Sequence, residues 1–572
     1  MSWWISDPDR ASRERIEIAN LAESVGWLQT PEWTHTKGLN LKVNFGIELP
    51  TKLVPLSLVF PSFYPYLPPQ VIPQEEVRVS GHQYGTGGEL CLEIRSDNWR
   101  PEMNGAMMIE SAHRLLAGEE SQSLRSDPLP DAHRVTVAQS ARGRSFRLLL
   151  PHDLKALLPE IMSDTCDELL IQEHYYAGFW VAYPKRIGPE DSPKWSGTGW
   201  IRKVYDRNGF AFRVPNEFEL IDCPTFDSVS TFARSLGNED IDRALTEFDR
   251  ETFFLLHNDQ ETKLLVLTQS KEKQSLYGYH TINLPENRQN RLSQEYSELQ
   301  EKSVAIMGCG SVGSKIAASL TRSGIGRIVL VDGDMLFPGN LVRNELDLRS
   351  IGLNKPDATE ERLLEINPNI KIVKRRVLLG GQESSAATEA ALASISRCNL
   401  IVEATADPQV FALCAAVSRL QKVPMVWGEV FGGGIGGLLA RARPDQDPTP
   451  ISARDQISNW CSDFCVPWDV SAAGQYDITR DDAPPLIADD SDVSVIAAHL
   501  ARLAIDILLN QESIFPSSAY VIGLKPEWVF GAPFEAYPID LKKEDQWGTP
   551  ESESTSESLK QFLWDAFEIK LD

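Results

Sequence analysis

The sequence predicts an α/β protein with a Rossmann-like block, mostly parallel in its sheet, preceded by an α+β block and a mixed α/β block. Three observations lead there. From Val304 to Met307 an apolar strand runs into Gly308-Cys309-Gly310-Ser311-Val312-Gly313. A helix near Ser314 to Thr321 comes next, and then a second strand, Arg327 to Val331. Residues before 140 instead set a helical pattern (Ile16, Ala19, Leu21 to Val25) ahead of strand-like runs at Leu39 to Leu49 and Val54 to Phe60. Between them, strand-like Phe146 to Leu150, Gly178 to Tyr183, Phe253 to His257 and Leu264 to Thr268 mix with helical stretches.

At roughly 150 residues per domain, the 572 residues suggest about three or four domains. The 42% apolar content excludes wholesale disorder, and a formal charge of −25 argues against bulk attraction to nucleic acid or anionic membranes. No run approaches the roughly 18–20 apolar residues of a spanning helix. The start, MSWWISDPDR, does not read as a signal peptide, so a cytoplasmic, membrane-independent protein is expected. Eight cysteines are too few for a disulfide framework, and Cys461 and Cys465 lack a second pair for structural zinc.

The expected domains are 1–140, 145–285 and 290–541, with a flexible tail at 542–572. In the first, FPSFYPYLPPQVIP is expected to leave regular structure, because its prolines cannot donate to a ladder. A joint is expected at Arg142 to Arg144. The second domain carries no chemical motif and reads as a linking or docking module. In the third, Leu400 to Glu403 and Met425 to Gly428 extend the sheet. Ile496, Leu500, Leu503 and Ile507 recur at helical spacing, with Ser491 or Asp492 as the cap. The tail holds the polar spacer GTPESESTSES and a short amphipathic LKQFLWDAFEIKLD.

Chemistry concentrates in the third domain. Gly308, Gly310 and Gly313 fit a phosphate-binding turn ahead of a helix N-terminus, and Asp332 ends the next strand where it can accept from ribose hydroxyls. Alone, these residues favour an NAD- or FAD-binding Rossmann domain, and with it a nicotinamide-dependent oxidoreductase. The residues after Asp332 favour a triphosphate. Asp334, Asn340, Arg343 and Lys355 come in succession, with Arg forking onto phosphate oxygens and Lys supplying a point charge. Asp407 ends a later strand, in a position suited to Mg²⁺ beside phosphates.

These motifs, GCGSVGSKIAASLTRSGIGRIVLVDGD, NLVRN, GLNK and the strand ending at Asp407, resemble the ubiquitin-activating and ThiF/MoeB adenylyltransferase superfamily over about residues 295–510. The resemblance implies adenylation of a ubiquitin-like C-terminal glycine by Mg·ATP, usually in a homodimer. It implies ribose contact at Asp332, phosphate contacts at Asn340, Arg343 and Lys355, and Mg²⁺ at Asp407.

In the first domain, Gly87-Gly88-Glu89-Leu90-Cys91-Leu92 comes after the Pro-rich stretch and His82, and precedes Trp99-Arg100-Pro101. A thiolate can carry acyl groups, whereas most isolated cysteines are inert core residues. The pattern resembles a ubiquitin-conjugating domain over about residues 15–125. That family commonly has His-Pro-Asn where this chain reads His82-Gln83-Tyr84, which leaves the oxyanion to Gln83 or to another group.

A conjugating-like domain ahead of an activating-like one resembles the fused proteins of bacterial anti-phage CBASS operons. Those ligate the C-terminus of a cGAS/DncV-like nucleotidyltransferase (a CD-NTase) to target amines. The resemblance implies a second thiol just before the closing helix, where Ala488 stands. Alanine there, natural or introduced, cannot form a thioester, and the reaction would stall at the acyl-adenylate. Cys461 and Cys465 are the competing positions for that thiol, and a non-catalytic adaptor with a conjugating-like fold is the third reading.

Overall fold

Apolar runs that alternate form half-buried strands in the computed structural model, and unbroken runs form strands covered on both faces. The structure describes every residue except 1, 76, 81, 85–87, 123–143, 162–165, 198–204, 217, 219, 221–225, 247–250, 270–273, 285–291, 465–477, 481–482, 487, 511, 549–555 and 568–572. Gly87, Arg142, Gly143, Cys465 and most of the polar spacer therefore lie outside the described residues. The chain divides into two compact units, Met1–Ser140 and Ala141–Asp572.

In the first unit, helix Pro8–Ser24 starts at Asp7, whose side chain accepts from Arg10 N. A four-stranded antiparallel meander comes next, in the order Glu32–His35, Leu41–Glu48, Leu53–Val59, Gln70–Pro73. The last strand corrects the sequence expectation for FPSFYPYLPPQVIP. Residues 60–69 do leave regular structure, but Gln70–Pro73 pairs with Leu56–Val59. Proline is tolerated there because the strand is the sheet's edge. Helix Gly105–Gln122 covers the sheet through Met108, Ile109, Ala112 and Leu116. A buried polar cluster fixes its start. Arg10 Nε donates to Glu14 Oε1 at 2.9 Å, Arg10 also donates to the Tyr64 hydroxyl, and Glu14 Oε2 accepts from Gly105 N at 2.7 Å. Charges this deep persist only when paired in this way.

The second unit holds two sheets. One has nine strands in the order Gln274–Gly278, Thr262–Gln269, Glu251–His257, Tyr205–Arg213, Asp167–Tyr176, Phe179–Ile187, Phe146–Leu150, His280–Asn283, with Trp195–Ser196 pairing on Phe179–Ile187. Alternation sends Phe253 and Leu255 to one core and Phe254 and Leu256 to another, so the sheet is covered on both faces.

The other sheet has eight strands, ordered Lys371–Arg375, Arg327–Val331, Ser303–Met307, Leu400–Glu403, Met425–Val430, Gly436–Ala442, Ala519–Gly523, Ala536–Ile539. The first five are parallel and the rest antiparallel. Helices Ser311–Ser323 and Asp490–Leu509 pack with Val304 and Ile306 on one face. Helices Ser385–Ile395, Pro408–Gln421 and Pro450–Asp463 pack with Ala305 and Met307 on the other. The cap of helix Asp490–Leu509 is Asp489, whose side chain accepts from Asp492 N, and Ser491 Oγ donates to Asp489. The helix thus starts earlier than Ser491 or Asp492 would have set it. Behind it, fully buried Arg441 donates to Asp506 Oδ2 at 2.8 Å and to Phe515 O at 2.9 Å. The tail segment forms helix Ser556–Phe567, with Leu559, Phe562 and Phe567 exposed. Among the described residues, no helix is long and apolar enough to cross a membrane.

Candidate active site

Parallel strands bring their C-terminal ends to one edge of a sheet, and ligands collect outside that edge. Here the edge opens into a cavity of about 590 Å³. Gly308, Gly310, Asp332, Asp334, Asn340, Arg343, Lys355, Asp407 and Ala488 all line it. Gly313 does not, and its role is packing. A Cβ there would stand 1.9 Å from Gly308 O, so only glycine lets the helix approach the turn. At Gly310 a Cβ would meet nothing within 4 Å, because the space beside it is the cavity. Helix Ser311–Ser323 has Gly310 at its N-cap with no side-chain cap, and its first residues face the same space. That is a cradle shaped for an anion.

Asp332 is held in place. Its Oδ2 accepts from Cys309 N at 2.7 Å and its Oδ1 from Asp334 N at 2.8 Å, which leaves further lone pairs on each oxygen. Burial raises its carboxyl above the usual range. Cys309 itself is buried in the turn, and burial pushes its thiol well up, which makes it inert. Lys355 opens helix Lys355–Ile366. Its N donates to Asp334 O at 2.9 Å and its Nζ to Asp334 Oδ2 at 2.8 Å. Asp334 thus aims the lysine. Asn340 Oδ1 accepts from Phe337 N, which leaves its NH₂ group to donate elsewhere, and Arg343 stands half-buried at the end of the same turn.

Asp407 has two roles open to it. Its Oδ1 accepts from Gln409 N and Val410 N as the N-cap of helix Pro408–Gln421, while Oδ2 takes no part in the cap. Among the described residues, no group of three or more His, Cys, Asp or Glu side chains is placed to hold a metal ion. One carboxylate beside a phosphate-sized cradle fits Mg²⁺, which takes one or two carboxylates and completes its shell with phosphates and water.

Sequence reading missed three residues. Asn344, last in NLVRN, is buried, lines the cavity and donates to Cys309 O. Glu403 is buried at its strand's end and accepts from Thr405 N at 2.8 Å and from the Thr405 hydroxyl. Burial pushes its carboxyl up to about 7. Glu429 lines the cavity and is solvent-accessible there, yet the surrounding protein also raises its carboxyl. Asn344 could have been found as the end of its motif. The two glutamates carry no motif at all.

Ala488 is 6% exposed and forms part of the cavity wall beside Val493. Cys461 is half-buried on helix Pro450–Asp463, does not line the cavity, and has its thiol pushed up to about 11, first by burial and then by Glu429. Little thiolate exists there at neutral pH.

Cys91 belongs to the first unit. It comes just after the hairpin Gln83–Tyr84 and Glu89–Leu90, and its N donates to His82 O at 2.8 Å. The thiol residue is half-buried. Gln83 Oε1 accepts from Val79 N at 2.8 Å and Ser80 N at 3.1 Å, and its Nε2 donates to Gly88 O at 2.8 Å. This side chain therefore pins the turn before Cys91. Trp99 Nε1 donates to Pro65 O at 2.7 Å, tying the segment after the thiol to the Pro-rich one.

Residues 286–450 match the ThiF family model, so the chain carries a ThiF family domain. Within the chain, 78 residues are 40% identical to ubiquitin-like modifier-activating enzyme 5 of Caenorhabditis elegans, covering 14% of this chain and 19% of that protein. A longer match, 25% identical over 221 residues, covers 37% of this chain and 37% of the uncharacterized protein y4oA of Sinorhizobium fredii. The chain thus spans well under half the length of these relatives. Among solved structures, Escherichia coli MccB with ATP is similar at 16% identity and a TM-score of 0.33, covering 45% of this chain and 67% of that one.

Proposed function

We propose that this chain adenylates the C-terminal carboxylate of a protein with Mg·ATP, and that, with a cysteine at position 488 in place of Ala488, the acyl group then passes by thioester to Cys91 and on to a target amine. The observation that supports this most is the cavity shared by Gly310, Asp332, Arg343, Lys355 and Asp407 in a ThiF family domain. The similarity of 78 residues to an enzyme named for activating ubiquitin-like modifiers points the same way.

In this reading the ribose hydroxyls donate to Asp332, and the phosphates lie against Gly310 and the start of helix Ser311–Ser323. Arg343 and Lys355 take the charge of the β- and γ-phosphates, and Asp334 holds Lys355 in position. Asp407 with phosphate oxygens would hold Mg²⁺, which neutralises phosphate charge when bound. The substrate carboxylate attacks the α-phosphorus; its O–P bond forms as the bond to the bridging β-oxygen breaks, and pyrophosphate leaves. A cysteine at position 488 would attack the acyl carbon and release AMP, and Cys91 would take the acyl group by exchange of thioesters. Domains 1–140, 145–285 and 290–541 then read as conjugating, linking and activating, in a homodimer in the cytoplasm. The CD-NTase C-terminus of CBASS defence is the proposed substrate.

The test is pyrophosphate exchange into ATP. It should require a protein or peptide with a C-terminal glycine, and an Ala488→Cys variant should gain a reducing-agent-sensitive adduct at 488. Exchange that ignores the acyl substrate, or an adduct at Cys461 or Cys465, contradicts the scheme.

A further inference from the structure

We propose that Glu429 selects the protein substrate by receiving a cationic side chain, Lys or Arg, from the residues just ahead of the carboxylate that is adenylated. This deepens the activation reading above and rests on it.

The sheet order locates Glu429. Strands Arg327–Val331, Ser303–Met307, Leu400–Glu403 and Met425–Val430 are successive parallel neighbours, so their C-terminal ends form one row along the cavity. Asp332, Gly308, the Ala404–Asp407 turn and Glu429 stand in that order. Glu403 pairs with Trp427, which sets Glu429 two residues further on, beside that turn. Three strand spacings of about 4.8 Å separate the first and last strands, about 14 Å in all. With ribose at Asp332 and phosphates at Gly310, the nucleotide fills the first part of the row. The acyl group comes to the far part, where Glu429, Ala488 and Val493 line the wall.

Glu429 carries its charge into the cavity with no paired cation among the described residues. Among the described residues its carboxylate makes no ion pair or side-chain hydrogen bond. Glu403, on the neighbouring strand, accepts from Thr405, and Asp407, on the adjoining turn, accepts from Gln409 N and Val410 N. The charged groups that act on Glu429 are Arg454, which favours its ionised form, and Glu403, with which it shares repulsion. Arg454 stands on helix Pro450–Asp463, 4.3 Å from the Phe411 ring centroid, and is not ion-paired to Glu429. Adenylation already brings two anions together, the substrate carboxylate and the triphosphate. A third anion at the acyl end repels any acidic tail and is relieved by a cation on the incoming chain.

The experiment compares peptides ending in glycine that carry Lys, Gln or Glu at each of the three preceding positions. Pyrophosphate exchange is measured with the full chain and with Glu429→Gln and Glu429→Arg. At one position the wild-type kcat/KM should favour Lys over Glu by about tenfold, the effect of one modest charge contact. Glu429→Gln should flatten that preference and Glu429→Arg invert it, with thermal midpoints showing that both variants fold. Wild-type exchange without charge preference, or a preference unchanged in both variants, overturns the proposal. So does a shifted Mg²⁺ requirement with peptide preference intact, which would make Glu429 a metal ligand. No exchange with any peptide defeats the activation reading itself.

Discussion

Lys355 Nζ lies 2.8 Å from Asp334 Oδ2, so the cation at the start of helix Lys355–Ile366 is aimed by an acid on the strand-end turn. Lys355 is largely covered, while Asp334 is mostly exposed. Holding a point charge in place before substrate arrives removes the need to reorganise it during reaction. Lys355→Met should lower pyrophosphate exchange by about 10²-fold, and Asp334→Asn by less, because the lysine remains but is no longer aimed. Steady-state exchange rates at saturating ATP measure both. Equal losses would assign Asp334 a direct role.

Asp407 caps a helix and is also the proposed Mg²⁺ residue, and two variants separate these roles. Asparagine caps about as well as aspartate, whereas alanine costs about 1 kcal/mol. Asp407→Asn should therefore keep the thermal midpoint and lose exchange, with part of the loss recovered at high Mg²⁺. Asp407→Ala should lose both. Full exchange in the asparagine variant would leave the cap as the residue's whole role.

Glu403 gives the fold a pH dependence. Burial raises its carboxyl from the ordinary 4.5 to about 7, so the unfolded chain loses this proton first. The stability held by the neutral form is full below about 4.5 and falls as pH rises through about 7. Glu403→Gln, which stays neutral and still accepts from Thr405, should gain on the parent across that window by up to about 3 kcal/mol. Urea midpoints at pH 5 and pH 8 provide the comparison, and a constant gap would show that the carboxyl titrates normally.

Arg441 and Asp506 join the antiparallel part of the sheet to helix Asp490–Leu509, at 0% and 3% side-chain exposure. Asp506→Ala leaves a buried guanidinium without its carboxylate and should cost about 3–5 kcal/mol. Replacing both with apolar residues of similar size should cost clearly less. Denaturant unfolding measures both, and similar losses would mean that packing, not charge, dominates the site.

The core around the eight-stranded, mostly parallel sheet was legible because its signals are local. The glycine turn, the strands on either side and the apolar spacing of helix Asp490–Leu509 each sit within a short window. Its cap was placed too late because Asp489, Asp490, Ser491 and Asp492 all have capping chemistry, and only backbone geometry picks Asp489. The strand Gln70–Pro73 was missed because proline signals a break unless the strand is known to be an edge. Gln83 was read from its place near Cys91, but its partners Val79, Ser80 and Gly88 engage it in the turn. Glu403 and Glu429 were invisible for a different reason. An acid within a strand has no pattern of its own, and only the sheet order brings Glu429 to the cavity and sets Glu403 on the strand beside it.

The most direct measurement uses the chain as it stands. With alanine at 488 the first intermediate has no thiol to receive it there, so ATP, Mg²⁺ and a glycine-terminated substrate should build up a peptidyl adenylate, seen by mass spectrometry. The expected result is that product, with pyrophosphate released in equal amount and both formed about 10²-fold more slowly by the Lys355→Met variant. Specific NADH binding with no adenylate would contradict adenylation and restore the oxidoreductase reading. An acyl adduct on Cys91 while Ala488 is in place would keep adenylation and remove the relay thiol from the scheme.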